Sequence, residues 1–507
     1  MRKEMNVLFI ITDQQRADHL SCAGNPVLKT PNIDRLASEG IRFSSAFCAN
    51  PICTPNRASI LTGMYPNMHG SRSNGINLPE DVPTFTETLR TRGWHTAAIG
   101  KLHHNYFHEP LYDETAYSAE RISHWISSEK GSSMRERFKK PYYGYQEVEI
   151  VLGHGDLCAG HYLDWLEERN PENAKSIKEQ IEHAFGELIY ETNLPEELYQ
   201  TSYVTERSIA FLERMVKGDY GDKPFFLFCS YPDPHHPICP PGRFSNMYKP
   251  EDIELPPSFS DLENVSKHPY FGNFVTNPPM KGVHLLQRST TEQEARRFIA
   301  KTYGALSMID EGVGKILGAL EKLDMADNTI VIYTSDHGDL MGDHGLILKG
   351  FSPFNGVINV PMIWKVPGIT NPGSVSNSLM SSIDFAPTLL KLLGVRSRHQ
   401  PPDMQGVNIT PVLKDPTAEV RDFCLIEDDN EIFGLKARLR YLVTNEYKMT
   451  VYLNLRKFGE IYDRKNDPHE LNNLWFKEPE LRQNLIEKLF YENLEAQSRY
   501  PKRVAQG

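Results

Sequence analysis

Four short stretches of the chain are apolar at almost every position: NVLFIIT (Asn6–Thr12), TAAI (Thr96–Ile99), FFLFCS (Phe225–Ser230) and TIVIYT (Thr329–Thr334). Unbroken runs of this kind, rich in β-branched and aromatic residues, mark strands covered on both faces, as in a parallel sheet between helices. Segments of helical period separate them: Pro31 to Glu39, Thr84 to Arg92, Tyr203 to Met215 and Glu292 to Leu323. Gly40 and Gly93 stop the first two, and Pro31 suits a first helical turn. Strand and helix in alternation predict an α/β fold, a large domain whose central, mostly parallel sheet lies between helices.

The pattern changes twice. Between 105 and 194 the chain is charged, aromatic and irregular, with helical pieces at Tyr162 to Arg169 and Ala174 to Tyr190. An insertion of this length shapes either a substrate pocket or a homo-oligomer contact, and both readings stay open. Beyond Asp415, Phe423 to Glu427, Tyr441 to Thr444 and Lys448 to Leu453 alternate with turns, and a helix from Pro479 to Ser498 follows. This predicts a small α+β C-terminal domain with an antiparallel sheet. The division is read as 1–415 and 416–507.

The strand ends carry the candidate chemistry, because in open α/β sheets ligands bind beyond the carboxyl ends of strands. The first apolar run exits into Asp13-Gln14, the second into Lys101 and His103, the third into His235-His236 and the fourth into Asp336-His337. Two adjacent ligand-type residues at each of two strand ends can converge on one cation. The segment CTPNRASILTG (Cys53–Gly63) reads as a helix from Pro55 to Leu61, closed by Gly63, with Cys53 at its N-terminus. Free N–H groups and the positive end of the dipole favour an anion there, and Arg57 lies one turn on. Plainer readings exist: Cys53 as a small buried hydrophobe, or Cys48 and Cys53 as zinc ligands, although no second close pair follows. A cysteine-dependent phosphatase loop does not fit, since only three residues separate Cys53 from Arg57. None of these accounts for Pro55, Arg57 and Thr62-Gly63 together.

With those strand ends in place, the Cys53 segment resembles the sulfatase signature C-x-P-x-R-x-x-x-T-G, with Asn56 where Ser or Ala is usual. Gly100–His103 resembles the family's G-K-x-H, Pro234–Pro237 its P-H-x-P, and GEIYDRKNDPHELNNLW (Gly459–Trp475) its C-terminal E-L-Y-D-x-x-x-D-P-x-E-x-x-N-L. The resemblance spans residues 1–104, 200–245, 300–395 and 440–475, with motifs in family order. It implies the sulfatase branch of the alkaline-phosphatase-like fold and a hydrolase acting on a sulfate monoester, of a sulfated carbohydrate or an aryl alcohol. In that family the cysteine, here Cys53, becomes formylglycine through a formylglycine-generating or anaerobic sulfatase-maturing enzyme, and its hydrated aldehyde is the nucleophile. The resemblance further implies that Arg57, Lys101 and Lys349 hold the sulfate, His235 protonates the departing alcohol and His103 acts as the base. Asn74 and His236 would line the pocket. Asp13, Gln14, Asp336, His337 and residue 53 would bind a divalent metal.

Many relatives use three Asp and one Asn, whereas Gln14 and His337 leave two carboxylates and add a nitrogen. Calcium is the expected ion because most of the donors are oxygens, with manganese or zinc as alternatives through the imidazole. The Asp-Gln and Asp-His set is shared with phosphonate monoester and phosphodiester hydrolases of the same superfamily, the main rival reading; the Lys101 and His103 pair favours sulfate. A non-catalytic carbohydrate-binding relative is the remaining alternative.

Charge and composition narrow this picture without changing it. A formal net charge of -11 excludes the basic face that a nucleic-acid partner needs, so a small anionic ester must be captured locally. Seven scattered cysteines form no disulfide framework. The N-terminus lacks the features of a signal peptide, and no stretch is long and apolar enough for a membrane span. The expectation is a cytoplasmic protein, or a periplasmic one if a leader has been removed.

Overall fold

The computed structural model describes residues 4–109, 116–127, 131–183, 187–269, 272, 288–350, 352–432 and 435–496. At its centre is a sheet of nine strands among the described residues. In spatial order they are Ser374–Ser376, Ile41–Phe43, Met362–Lys365, Thr329–Ser335, Asn6–Thr12, Phe225–Ser230, His95–Gly100, Glu147–His154 and Leu157–Gly160. Five of the eight neighbouring pairs are parallel, and these include every junction from Thr329–Ser335 to Glu147–His154.

The reason for the apolar runs is visible at once. Val7 to Ile11 are all 0 % exposed, with Leu8 paired to Val331 on one side and Leu227 on the other. Phe9 meets Phe385 edge-on at 4.9 Å on one face, while Cys229 accepts a hydrogen bond from Ser208 on the opposite face. The helix Phe385–Leu392 thus covers the first face and Gln200–Lys217 the second. Glu292–Lys322 packs beside Gln200–Lys217 and Pro31–Glu39. Among the described residues no helix is long and apolar enough to cross a membrane.

The irregular insertion holds what the hydrophobic pattern hides. Glu147–His154 and Leu157–Gly160 extend the main sheet, although EVEIVLGH carries two charges. Those charges sit on one face of an outer strand and are neutralised from the helix beneath: Arg207 pairs with Glu149 at 2.5 Å and Arg214 pairs with Glu147. The helix expected from Ala174 to Tyr190 is instead Pro171–His183, and the rest of that stretch lies partly outside the described residues.

The C-terminal sheet is antiparallel in the order Phe423–Ile432, Leu435–Thr444, Tyr447–Tyr452 and Gly459–Asp463, followed by the helix Pro479–Ala496. Residues 497 and 498 of the expected helix lie outside the described residues. The sheet is not an independent appendage. Leu425, Leu442, Met449 and Ile461 share one apolar cluster with Ala49, Tyr65 and Ile383 of the larger part. Buried Glu427 accepts the N–H of Asn67 at 2.8 Å, and its own N–H donates to Ala49 at 3.0 Å. The C-terminal region therefore buttresses the turn that leads into Cys53.

Candidate active site

Five parallel strands deliver polar residues to one edge of the sheet. Just beyond them the backbone turns sharply: Gln14 and His103 both adopt left-handed φ values, 69° and 56°. The strand exits are tied together by their own main chain. Asp13 N–H donates to Asp233 O at 3.2 Å, Asp336 N–H to Thr12 O at 3.2 Å, and Gln14 N–H to the Asp336 carboxylate at 3.1 Å.

The signature helix runs Cys53–Thr62, two residues earlier than expected, and closes at Gly63 with φ 70°. Cys53 is its first residue and is 1 % exposed. Its Sγ lies 3.1 Å from His337 Nε2, 3.5 Å from Lys349 Nζ and 3.7 Å from Asp13 Oδ1. Asn56, the departure from the usual signature, braces this corner: its amide donates to Asp336 O and its oxygen accepts Ala49 N–H at 2.9 Å. Asn74 caps the same helix, its Oδ1 accepting Thr54 N–H at 3.1 Å.

Asp13, Cys53, Asp336 and His337 are buried, and each offers one ligand atom, all within 4.8 Å of one another. His337 Nδ1 is 2.9 Å from Gly338 O. A carbonyl only accepts, so Nδ1 carries the proton and Nε2 turns its lone pair toward Cys53 and Asp13. Gln14 is oriented just as firmly. Its Nε2 donates to Asp339 at 2.7 Å and to His236 Nδ1 at 3.2 Å, leaving Oε1 to accept from Lys349 Nζ at 2.8 Å. Two carboxylates, one amide oxygen and one imidazole nitrogen facing inward are a donor set suited to a divalent cation.

Cationic groups surround this cluster. Arg57 is 1 % exposed; its Nε donates to Asp336 at 2.7 Å and its Nη1 to Lys101 O and Ser230 Oγ at 2.8 and 2.9 Å. Its Nη2 is buried 3.7 Å from Asp13 Oδ2, with no hydrogen-bond partner among the described residues. Lys101 Nζ bridges Asp13 and His154 Nε2. Burial pushes the Asp13 carboxyl up, but Lys101, Arg57, Lys349 and His154 outweigh it and hold that group well below the usual carboxylate range. Burial and Asp13 likewise raise the Cys53 thiol, and Lys101, Lys349 and His337 more than reverse this. An anion is favoured at residue 53.

Four histidines complete the wall. His103 stacks on Phe107 at 3.9 Å, and His235 stacks between His154 at 3.7 Å and His236 at 4.2 Å. Burial, followed by Lys101 and Arg57, holds His103 well below the ordinary imidazole value. Burial with His154 and Lys349 does the same to His235.

Every strand-end residue singled out in the sequence, with Cys53, Arg57 and Lys349, therefore lies at this one edge. Asp343 and His344 do not belong to it: Asp343 pairs with Arg16 at 2.6 Å and His344 with Asp261 at 2.8 Å, shaping the loop. Sequence reasoning missed His154, which ends a strand that was not expected, and Asp339, whose only signal was its place three residues beyond Asp336.

With this geometry in view, comparison with known proteins gives a consistent answer. The sulfatase family model matches residues 5–395, and that of the N-sulphoglucosamine sulphohydrolase C-terminal region matches 342–499. The chain belongs to the sulfatase family, and it is a hydrolase. It is 30% identical to an arylsulfatase of Clostridium perfringens over 92% of this chain and 90% of that protein. An N-acetylglucosamine-6-O-sulfatase of Bacteroides thetaiotaomicron is 26% identical over 94% and 83% of the two chains. Among solved structures, a phosphonate monoester hydrolase of Agrobacterium radiobacter shares the fold with TM-score 0.78 at 24% identity, covering 97% of this chain and 96% of that one.

Proposed function

We propose that the protein hydrolyses sulfate monoesters, of a sulfated carbohydrate or an aryl alcohol, with residue 53 as formylglycine and calcium bound at Asp13, Gln14, Asp336, His337 and residue 53. The observation that carries this reading is the joint placement of Lys101 and His103 beside the buried Cys53, Asp13 and Arg57 cluster. A sulfate ester carries one negative charge, and each fixed cation here meets developing charge at an oxygen. When bound, the divalent ion would oppose the charge of the ester oxygens and favour ionisation of a hydroxyl on residue 53.

The chain's own residues do the rest. Cys53 Sγ stands where the hydroxyls of the hydrated aldehyde would be. Arg57 Nη2, Lys101 and Lys349 receive the nonbridging oxygens; Lys349 already reaches 3.5 Å from Sγ. His103 is neutral in its buried position, as a group must be to accept the proton of the second hydroxyl and let sulfate leave. His235 donates Nδ1–H to His236 O at 2.6 Å, so its Nε2 is the face turned to chemistry. The negative substrate supplies the charge that lets His235 carry a proton to the departing alcohol.

The second reading, a phosphonate monoester or phosphodiester hydrolase, is favoured by Gln14 and His337 in the donor set. A rate panel of aryl sulfates, sulfated sugars, a phosphodiester and a phosphonate monoester tests the choice. The proposal expects sulfate esters to be turned over fastest by protein whose Cys53 peptide has lost about 18 Da, the mass of the oxidation that makes this nucleophile. Faster phosphodiester turnover would replace it with the second reading, and full activity with unmodified Cys53 would remove the formylglycine. Because Cys53 is fully enclosed, a formylglycine-generating or anaerobic sulfatase-maturing enzyme would act before the chain folds.

A further inference from the structure

His103 sits on a left-handed residue, a conformation that costs a side chain with a Cβ on the order of 1 kcal/mol and persists only where neighbours impose it. The neighbour is Glu120. Its Oε2 accepts His103 N–H at 2.7 Å, and its Oε1 accepts the N–H groups of His104 at 3.0 Å and Asn105 at 3.1 Å. Three successive amides converge on one carboxylate, the arrangement of an anion-binding backbone nest whose occupant is a side chain of the same protein. Oε1 also accepts the Tyr142 hydroxyl at 2.8 Å.

Glu120 is 0 % exposed, and its hydrogen-bond partners are neutral donors, with no ion pair among the described residues. Burial pushes its carboxyl up to about 7 against the pull of these four donors. A buried carboxyl without a cation is costly to hold, and what offsets it here is the set of three main-chain N–H groups that an apolar residue would leave buried without an acceptor. The turn it organises has a specific product: the His103 ring stacked on Phe107, which also lies 5.6 Å from Lys101 Nζ and 6.3 Å from the His154 ring. The far end is anchored as well, by Glu120 N–H on Ser118 Oγ at 3.1 Å and Ala119 N–H on Asn105 Oδ1 at 3.2 Å.

We propose that Glu120 is a positioning residue for His103, fixing the backbone turn that sets the imidazole beside Lys101. This rests on the role assigned to His103 above. Glu120→Gln tests it sharply. The amide oxygen best takes the Oε1 place, where three donors meet, which leaves the amide NH2 facing His103 N–H, so the defect falls on His103 alone.

The measurement is the single-turnover burst and the steady rate of converted enzyme with a chromogenic aryl sulfate, for wild type, Glu120→Gln, His103→Ala and the double variant. Glu120→Gln should retain a near-stoichiometric burst of alcohol with KM within about twofold and a steady rate lower by about 10- to 100-fold, as for loss of a second-step group. In the His103→Ala background it should lower the rate no further, because its only route is through His103. Tyr142→Phe loosens the same carboxylate without touching the turn and should show the same split in milder form. Equal losses in burst and steady phases in either variant, or a full additional loss in the double variant, overturn the proposal. A His103→Ala enzyme with no burst overturns instead the reading of His103, and with it the route given to Glu120.

Discussion

The central strand Asn6–Thr12 divides the site into two unlike halves. On one side, Thr329–Ser335 delivers Asp336 and His337, and Lys349 follows on the loop beyond. On the other, three strands in succession deliver the nitrogen groups of His235, Lys101, His103 and His154, while Asp233, at the first of these exits, gives its carboxylate to Tyr199 and Thr201. Asp13 stands at the divide and touches both, through Lys101 on one side and His337 Nε2 at 3.6 Å on the other. In the acidic half the two carboxylates and His337 are donors suited to a cation. The basic half gathers groups suited to an anion and its protons, and burial, reinforced by the Lys101 charge beside them, keeps those imidazoles neutral. A charged ester placed between the halves meets opposite demands at its two ends, which neither half could satisfy alone.

The largest way to break this contrast is to remove charge from the acidic half. Asp13→Ala or Asp336→Ala leaves Arg57 buried with half its compensating charge, and turnover should fall by about 10³-fold or more while chelation of wild type does the same. Activity that survives both chelation and Asp13→Ala would mean the acidic half is structural. A smaller effect belongs to the basic half: His103→Ala should release about one equivalent of alcohol and then slow by about 10²- to 10⁴-fold, the usual range for a lost acid–base group. Steady turnover at the wild-type rate in that variant would place the base elsewhere. Gln14→Asp should then sharpen the halves by adding a third carboxylate and tighten calcium by about tenfold or more relative to manganese and zinc, read by titrating chelated enzyme. An unchanged order of affinities would show that Gln14 does not set the ion.

The two halves also differed in how far the sequence disclosed them. The acidic half was legible because its strands are buried on both faces, so TIVIYT and NVLFIIT announce themselves and their exits follow. The basic half was legible only in part. Lys101 and His235 follow apolar strands of the same kind, but His154 ends a strand whose Glu147 and Glu149 answer arginines from a distant helix, a pairing no local pattern contains. Glu120 was hidden for a related reason: it lies 17 residues from His103 in an irregular loop, and only the fold brings it under those amides. Hydrophobic period reports what a residue packs against, not which backbone it must hold.

The last test asks whether burial, with the fixed cations around it, keeps the basic half free of protons. His104 is the clean probe, since it neighbours His103 yet both its ring nitrogens are buried with no hydrogen-bond partner among the described residues, and it lies edge-on to Tyr143 at 5.2 Å. Burial, then Arg57, pushes its pKa down to about 3. In the unfolded chain it titrates near about 6.5, so between those values the unfolded state binds a proton that the folded state refuses. Stability from this group is therefore complete above the ordinary histidine value and is lost as pH falls. His104→Phe removes that term and leaves the other titrating groups to cancel between variant and wild type. The stability of the variant relative to wild type, from denaturant unfolding, should improve by about 2 kcal/mol on going from about pH 7.5 to about pH 5. Whatever packing change Phe brings is the same at both pH values, so a difference that does not move with pH would show that His104 takes up its proton in the folded protein, and that burial is not what holds this half neutral.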